Sequence, residues 1–240
     1  MADNQMTKGT LYGIGLGPGN SELITVKAWR LLSTVEVIAY PKPPNGESFA
    51  RKIAAPFIPE DATEIALTVP MAKARGPAQK AYDEGAQIIA NLLDKGKHVA
   101  FICNGDPFLY STFMYLHERL KERFEIEIIP GVTSLTATAA ATRRPLAARN
   151  EILKVLPAPL DDETLRREIA SGDSIVINKV GKHFGRIRAL IESMGLTEKT
   201  QVVENATTEF EVARPLSQIR ENDQPYFSTM IIYKGKEDWA

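Results

Sequence analysis

The sequence predicts an α/β protein of two domains, built from parallel and mixed sheets, and three observations predict it. Short runs rich in β-branched residues alternate with longer amphipathic runs. Nearly every run ends in a glycine or proline turn, the punctuation of a largely parallel sheet with helices packed on it. The length of 240 residues allows one large domain or two small ones. Of the residues, 44% are hydrophobic and 25% charged, enough apolar surface for a sizeable core, which rules out a disordered or collagen-like chain.

In chain order, a first strand is expected over 10–14. It runs into Gly13-Ile14-Gly15-Leu16-Gly17-Pro18-Gly19-Asn20, which no helix tolerates. A helix capped by Asn20 or Ser21 follows, with a stripe of Ile24, Ala28, Leu31, Leu32 and Val35. A strand over 36–40 is stopped by Pro41, and the proline-rich 41–47 reads as a loop. Helix is expected over 79–93, a buried strand over 99–103, and helix over 112–123 with charged residues outward. A strand over 125–129 reads as a new beginning, so the boundary is set at Arg123-Phe124, giving domains 1–123 and 124–240. Beyond it, strands are expected over 151–156, 174–178, 201–204, 209–213 and 229–233, and helices over 133–142, 162–170 and 185–194. This half is strand-rich, so its sheet is expected to be mixed.

Charge and composition limit the function classes. Lys plus Arg total 29 against 30 Asp plus Glu, so no whole-molecule field favours nucleic acid or an anionic membrane. The lone Cys103 excludes an intrachain disulfide framework and suits a reducing compartment. His98, His117 and His183 lack metal-ligand spacing, so no metal site is expected. With neither a membrane-length apolar run nor a signal-peptide pattern, the expectation is a cytoplasmic protein.

Three strand ends carry unusual turns: Gly15-Leu16-Gly17-Pro18-Gly19, Asn104-Gly105-Asp106-Pro107, and Pro130-Gly131-Val132-Thr133-Ser134. In open α/β sheets, ligands bind beyond the carboxyl ends of strands, where glycine lets backbone approach closely. The first turn lacks the Gly-Lys-Ser/Thr ending of a phosphate loop and does not fit G-x-G-x-x-G, so a pyrophosphate is disfavoured. Asp106 has two readings: a residue that caps its own turn, or a carboxylate that accepts from a ligand. Cys103, on an apolar strand, reads as a small buried hydrophobe. Basic residues cluster at Arg143, Arg144 and Arg149, and at Lys179, Lys182, His183, Arg186 and Arg188. A solvated face and a carboxylate- or phosphate-binding loop both fit, and Lys73 and Arg75 could contribute from the first half.

Taken together, Tyr12 to Gly19 with Glu22-Leu23-Ile24-Thr25, Asn104 to Thr112, and Ile129 to Ser134 resemble the tetrapyrrole (corrin/porphyrin) methylase family over essentially the whole chain. The opening Leu-Tyr-Gly-Ile-Gly-Leu-Gly-Pro-Gly, Ala39-Tyr40-Pro41, and Val203 to Thr207 look most like its branch that methylates precorrin-2, or cobalt-precorrin-2, at carbon 20. The resemblance implies a homodimeric class III methyltransferase whose donor, S-adenosylmethionine, lies folded in the cleft between domains and leaves as S-adenosylhomocysteine. It implies donor binding by Pro18, Asn104, Gly105, Asp106, Leu109, Thr133, Ser134, Val180 and Ala206; many relatives have glycine where Ala206 stands. Arg143, Arg144, Arg149 and Lys179 become candidate partners for the acidic arms of the acceptor. Methyl transfer from a sulfonium depends on alignment more than on proton transfer, so no general base is assigned. The alternatives are another ring position, a protein or RNA acceptor, and a nucleoside-binding module without catalysis.

Overall fold

In the computed structural model, residues 7–70, 75–220 and 227–235 are described. The chain divides into two compact units, 1–133 and 134–240.

The first unit carries a five-stranded, wholly parallel sheet in the order β3-β2-β4-β1-β5. Its strands are β1 (Leu11–Gly15), β2 (Val37–Lys42), β3 (Thr63–Thr68), β4 (Val99–Cys103) and β5 (Ile126–Ile129). The fifth strand accounts for a difference from the expected boundary. Residues 126–129 pair with β1, so the first unit runs to Thr133 and not to Arg123. Central β4 is buried at every position, as befits a strand covered on both faces. Helices α1 (Val26–Leu32), α2 (Phe49–Ala54), α3 (Arg75–Leu93) and α4 (Phe113–Leu120) complete the unit. Two apolar clusters form its core, one around Phe101, Phe113 and Leu116 and one around Ile14, Leu32 and Ile102.

Local chemistry explains three departures from the expected elements. Asn20 caps only a short 3-10 turn, Ser21–Leu23, by accepting from the Glu22 N–H at 2.9 Å. The helix itself is capped by Thr25, whose hydroxyl accepts from the Ala28 N–H at 3.2 Å. Strand β2 continues through Pro41, because β4 pairs only with residues 37–39 and the missing proline N–H falls beyond that ladder. Edge strand β3 and the six-residue α2 were not expected. The alternation of Ile65 and Leu67 and the Ser48 cap were their only signals.

The second unit carries the sheet β6-β7-β10-β8-β9, with β6 (Leu153–Pro157) parallel to β7 (Ser174–Asn178). Strand β10 (Ser228–Tyr233) is antiparallel to β7 and β8 (Thr200–Glu204), and β8 is antiparallel to β9 (Val212–Pro215). The sheet is mixed, as expected. Its last edge strand begins three residues later than the expected 209. Helices α6 (Asp162–Ser171) and α7 (Phe184–Ser193) pack with Ile175, Ile177, Val202, Met230 and Ile232 in one core. Helix α5 (Ser134–Thr142) packs on β8, β9 and β10. Among the described residues, no helix is long and apolar enough to cross a membrane.

Candidate functional site

The register of the first sheet brings the three turns together. Gly15 pairs with Cys103 and Ile14 with Ile129, so β4, β1 and β5 end level and side by side, about 5 Å apart. The turns then touch. Gly17 and Gly105 form a two-hydrogen-bond bridge, with the Gly105 N–H donating to the Gly17 carbonyl at 2.7 Å and the Gly17 N–H to the Gly105 carbonyl at 3.3 Å. A Cβ on Gly15 would lie 2.5 Å from the Gly105 carbonyl oxygen and 2.7 Å from the Gly131 nitrogen. Glycine is therefore required at Gly15 by the approach of two other backbones.

Asp106 ties this junction. Its Oδ1 accepts from the Phe108 N–H at 2.8 Å, closing the turn after β4, and its Oδ2 accepts from the Gly131 N–H at 3.1 Å, holding the turn after β5. The turn-capping reading of Asp106 is thus realised, and it extends to a neighbouring strand. Outward from the junction, Asn104 is exposed, while Pro18, Gly105, Leu109 and Thr133 are half-buried. Gly105 sits at φ +65° with no other group within 3.9 Å of where its side chain would be. Its backbone therefore presents an open face. The open face is that of its Cα, since its N–H and C=O are both engaged with Gly17, and Asp106, already accepting two backbone donors, keeps lone pairs for a third.

Cys103 lies beneath the junction, buried, with its thiol donating to the Ile14 carbonyl at 3.5 Å. Burial pushes the thiol up to about 12, outweighing a hydrogen bond with Ser111 that lowers it, while the Asp106 charge raises it further. The thiolate that a nucleophile needs is scarce there. Native protein treated with iodoacetamide at pH 8 is expected to stay unlabelled, whereas the urea-unfolded chain should label fully; rapid native labelling by mass spectrometry would contradict this.

In the second unit, β7 and β8 flank β10 and point the same way, so the loops after them open at one edge of the sheet, about 10 Å apart. Val180, buried, and Ala206, half-buried, stand in those two loops. The backbone there is strained: Lys179, Asn205 and Thr207 have φ of 58°, 48° and 66°. The remaining non-glycine residues with positive φ are Tyr110, Arg143 and Arg149, so all six such described residues lie in or beside the loops singled out from the sequence. Ser134 opens α5.

The basic residues separate. Arg143 and Arg144 line a pocket of about 380 Å³ with Pro145 and Tyr233. Tyr233 pairs with Ser174, the first residue of β7, so this pocket lies at the opposite sheet edge from Lys179. Arg149 is exposed on the same connection as Arg143. Arg186 bonds Asp162 and the Ala158 carbonyl, and Arg188 bonds Glu192 at 2.7 Å and the Ile219 carbonyl at 2.6 Å; both are structural. Lys73 and the Arg75 side chain lie outside the described residues. Tyr233 was not anticipated as a site residue, because within a strand its ring carries no signal of what it faces. Among the described residues, no group of three His, Cys, Asp or Glu could hold a metal ion.

Comparison with known proteins places the fold and the family. Cobalamin biosynthesis protein CobIJ of Mycobacterium bovis is 38% identical over 237 residues, covering 95% of this chain but 47% of that protein, so the chain spans about half that relative's length. A precorrin-2 C(20)-methyltransferase of Sinorhizobium sp. is 31% identical over 237 residues, covering 95% of this chain and 97% of that one. The crystal structure of a uroporphyrin-III C-methyl transferase from Thermus thermophilus, complexed with S-adenyl homocysteine, shares the fold with a TM-score of 0.67. Its identity is 22%, and the match covers 94% of this chain and 98% of that one. Residues 10–219 match the sequence model of the tetrapyrrole (corrin/porphyrin) methylases, and the chain belongs to that family.

Proposed function

We propose that the chain is an S-adenosylmethionine-dependent C-methyltransferase of cobalamin synthesis, and that its acceptor is precorrin-2 or cobalt-precorrin-2, methylated at carbon 20. The observation that carries this reading is the junction of Gly15-Gly17, Gly105-Asp106 and Gly131 at one sheet edge. It belongs to a family member whose relative of matching length is named for that reaction. The homodimeric assembly implied by the resemblance and the cytoplasmic location expected from the sequence are part of the proposal.

When bound, the donor supplies a methyl group on a sulfonium, and in-line displacement needs the acceptor carbon held about 3 Å from it with water excluded. The chain's contribution is positioning. The Gly17-Gly105 bridge and the two bonds to Asp106 make the platform rigid before a ligand arrives, which lowers the ordering cost of binding. Asn104, Gly105, Asp106 and Leu109, with Pro18, Thr133 and Ser134, are assigned to the donor, as are the backbone groups of Val180 and Ala206. No side chain is assigned to move a proton.

Incubation with methyl-labelled donor and precorrin-2 or cobalt-precorrin-2 tests the reading by mass spectrometry and NMR of the product. One labelled methyl at carbon 20 is expected. Label at another ring carbon would reject the position, and saturable binding of S-adenosylhomocysteine without transfer to any tetrapyrrole would make the chain a nucleoside binder.

A further inference from the structure

The pocket at the far edge of the second sheet has properties that an ordinary surface pair of arginines does not. The Nε of Arg144 is buried and has no hydrogen-bond partner. Among the described residues neither the Arg143 nor the Arg144 guanidinium forms an ion pair. A buried guanidinium donor without an acceptor is costly, and such groups are normally satisfied. The Arg144 guanidinium carbon sits 4.3 Å from the centroid of the Tyr233 ring, so an aromatic face holds its plane. The nearby carboxylate is engaged elsewhere: Glu151 Oε1 accepts from the Tyr233 hydroxyl at 2.6 Å, and Oε2 from the Ala148 N–H at 2.8 Å. It fixes Tyr233 and the loop, and among the described residues leaves both arginines without a protein anion.

Arg143 stands against backbone preference. Its N–H donates to the Ala140 carbonyl at 3.1 Å and that of Arg144 to the Ala139 carbonyl at 3.0 Å, the pairing that ends a helix with a left-handed residue, usually glycine. Arg143 occupies that glycine slot at φ 52°.

We propose that Arg143 and Arg144, backed by Tyr233, form a carboxylate-binding subsite that takes an acidic arm of the acceptor. The subsite rests on the proposed function for the identity of that arm. A guanidinium fork matches a carboxylate in geometry and charge, and a pocket of about 380 Å³ accommodates a propionate-sized group. Tyr233 lies at the opening end of β7, whereas Val180 and Ala206 follow the closing ends of β7 and β8, some five residues or about 16 Å along the strands. Within this unit the subsite is therefore separate from the loops assigned to the donor.

The test uses uroporphyrin, a fluorescent porphyrin with carboxylate arms, alongside its fully esterified form, citrate and S-adenosylhomocysteine. Arg143→Gly suits the backbone it enters, and Arg144→Met keeps bulk over Tyr233. Each is expected to weaken uroporphyrin binding roughly tenfold or more, the loss of one charge-assisted contact, with S-adenosylhomocysteine affinity unchanged. Arg143→Gly should also melt no lower than the parent, so weaker binding in it cannot come from misfolding. The ester should bind poorly to the parent protein. Equal binding of uroporphyrin by parent and variants, equal binding of ester and acid, or binding of citrate without binding of uroporphyrin would each overturn the subsite. Methyl transfer separates it from the functional reading. Normal transfer to precorrin-2 with unchanged KM in both variants overturns the subsite alone, and loss of uroporphyrin binding in the variants of a protein that transfers no methyl overturns the functional reading alone.

Discussion

Gly131→Ala is expected to destabilise the fold by about 3 kcal/mol and to lower affinity for S-adenosylhomocysteine at least tenfold. The added Cβ would stand 2.1 Å from the Gly105 carbonyl oxygen and 2.8 Å from the Gly15 carbonyl carbon. Both neighbours are backbone, locked by the parallel ladder and by the Gly17-Gly105 bridge, so no side chain can swing away. Overpacking against mobile side chains costs about 1 to 3 kcal/mol, and a backbone clash sits at or beyond the upper end. Gly131 has no positive φ, so the effect isolates space from conformation. Two comparisons calibrate it. Gly105→Ala meets nothing nearer than 3.9 Å but keeps φ +65°, and should cost about 1 to 2 kcal/mol. Gly185→Ala, in α7 with open space around it, should stabilise by up to about 1 kcal/mol. Urea denaturation of the three variants checks the order. A Gly131→Ala protein as stable as the parent would mean that the three turns do not touch.

The junction was legible in the sequence because its cause is local: each turn announces itself by glycine and proline at the end of an apolar run. What was not legible depends on partners far away in the chain. Residues 126–129 look like the start of a new domain, and only pairing with residues 11–14, over a hundred positions earlier, assigns them to the first sheet. Pro41 reads as a stop signal, and only the short reach of β4 lets the strand pass through it. The strained loops were found for reasons other than strain, since Arg143, Lys179, Asn205 and Thr207 stand where a glycine would have advertised the bend. The basic residues show the same limit. Arg143 and Lys179 stand in two basic clusters that the resemblance offers to one acceptor, yet strand direction sends them to opposite edges of one sheet. Spacing along the chain reports neighbours within an element, and says little about which ends of different elements coincide.

Asp106→Ala should lower stability by about 2 kcal/mol and weaken S-adenosylhomocysteine binding by about 1 to 3 kcal/mol. The stability loss follows from two backbone donors, Phe108 N–H and Gly131 N–H, that share one carboxylate. Hydrogen bonds to a charged acceptor contribute about 1.5 to 3 kcal/mol each when buried, and the half-buried setting of Asp106 lets water replace part of that. Asp106→Asn separates the two bonds. Its amide oxygen can still close the turn on Phe108, but its NH2 faces the Gly131 N–H and cannot accept from it, so about half the stability loss should remain. The binding measurement distinguishes two ways in which the carboxylate could matter. If Asp106 only holds the platform, the asparagine variant, with its turn intact, should recover much of the donor affinity by calorimetry. If the carboxylate itself accepts from the donor, affinity should stay low in Asn as in Ala while stability is partly restored. Parent-like stability and affinity in both variants would remove Asp106 from the site, and with it the link between the turns after β4 and β5.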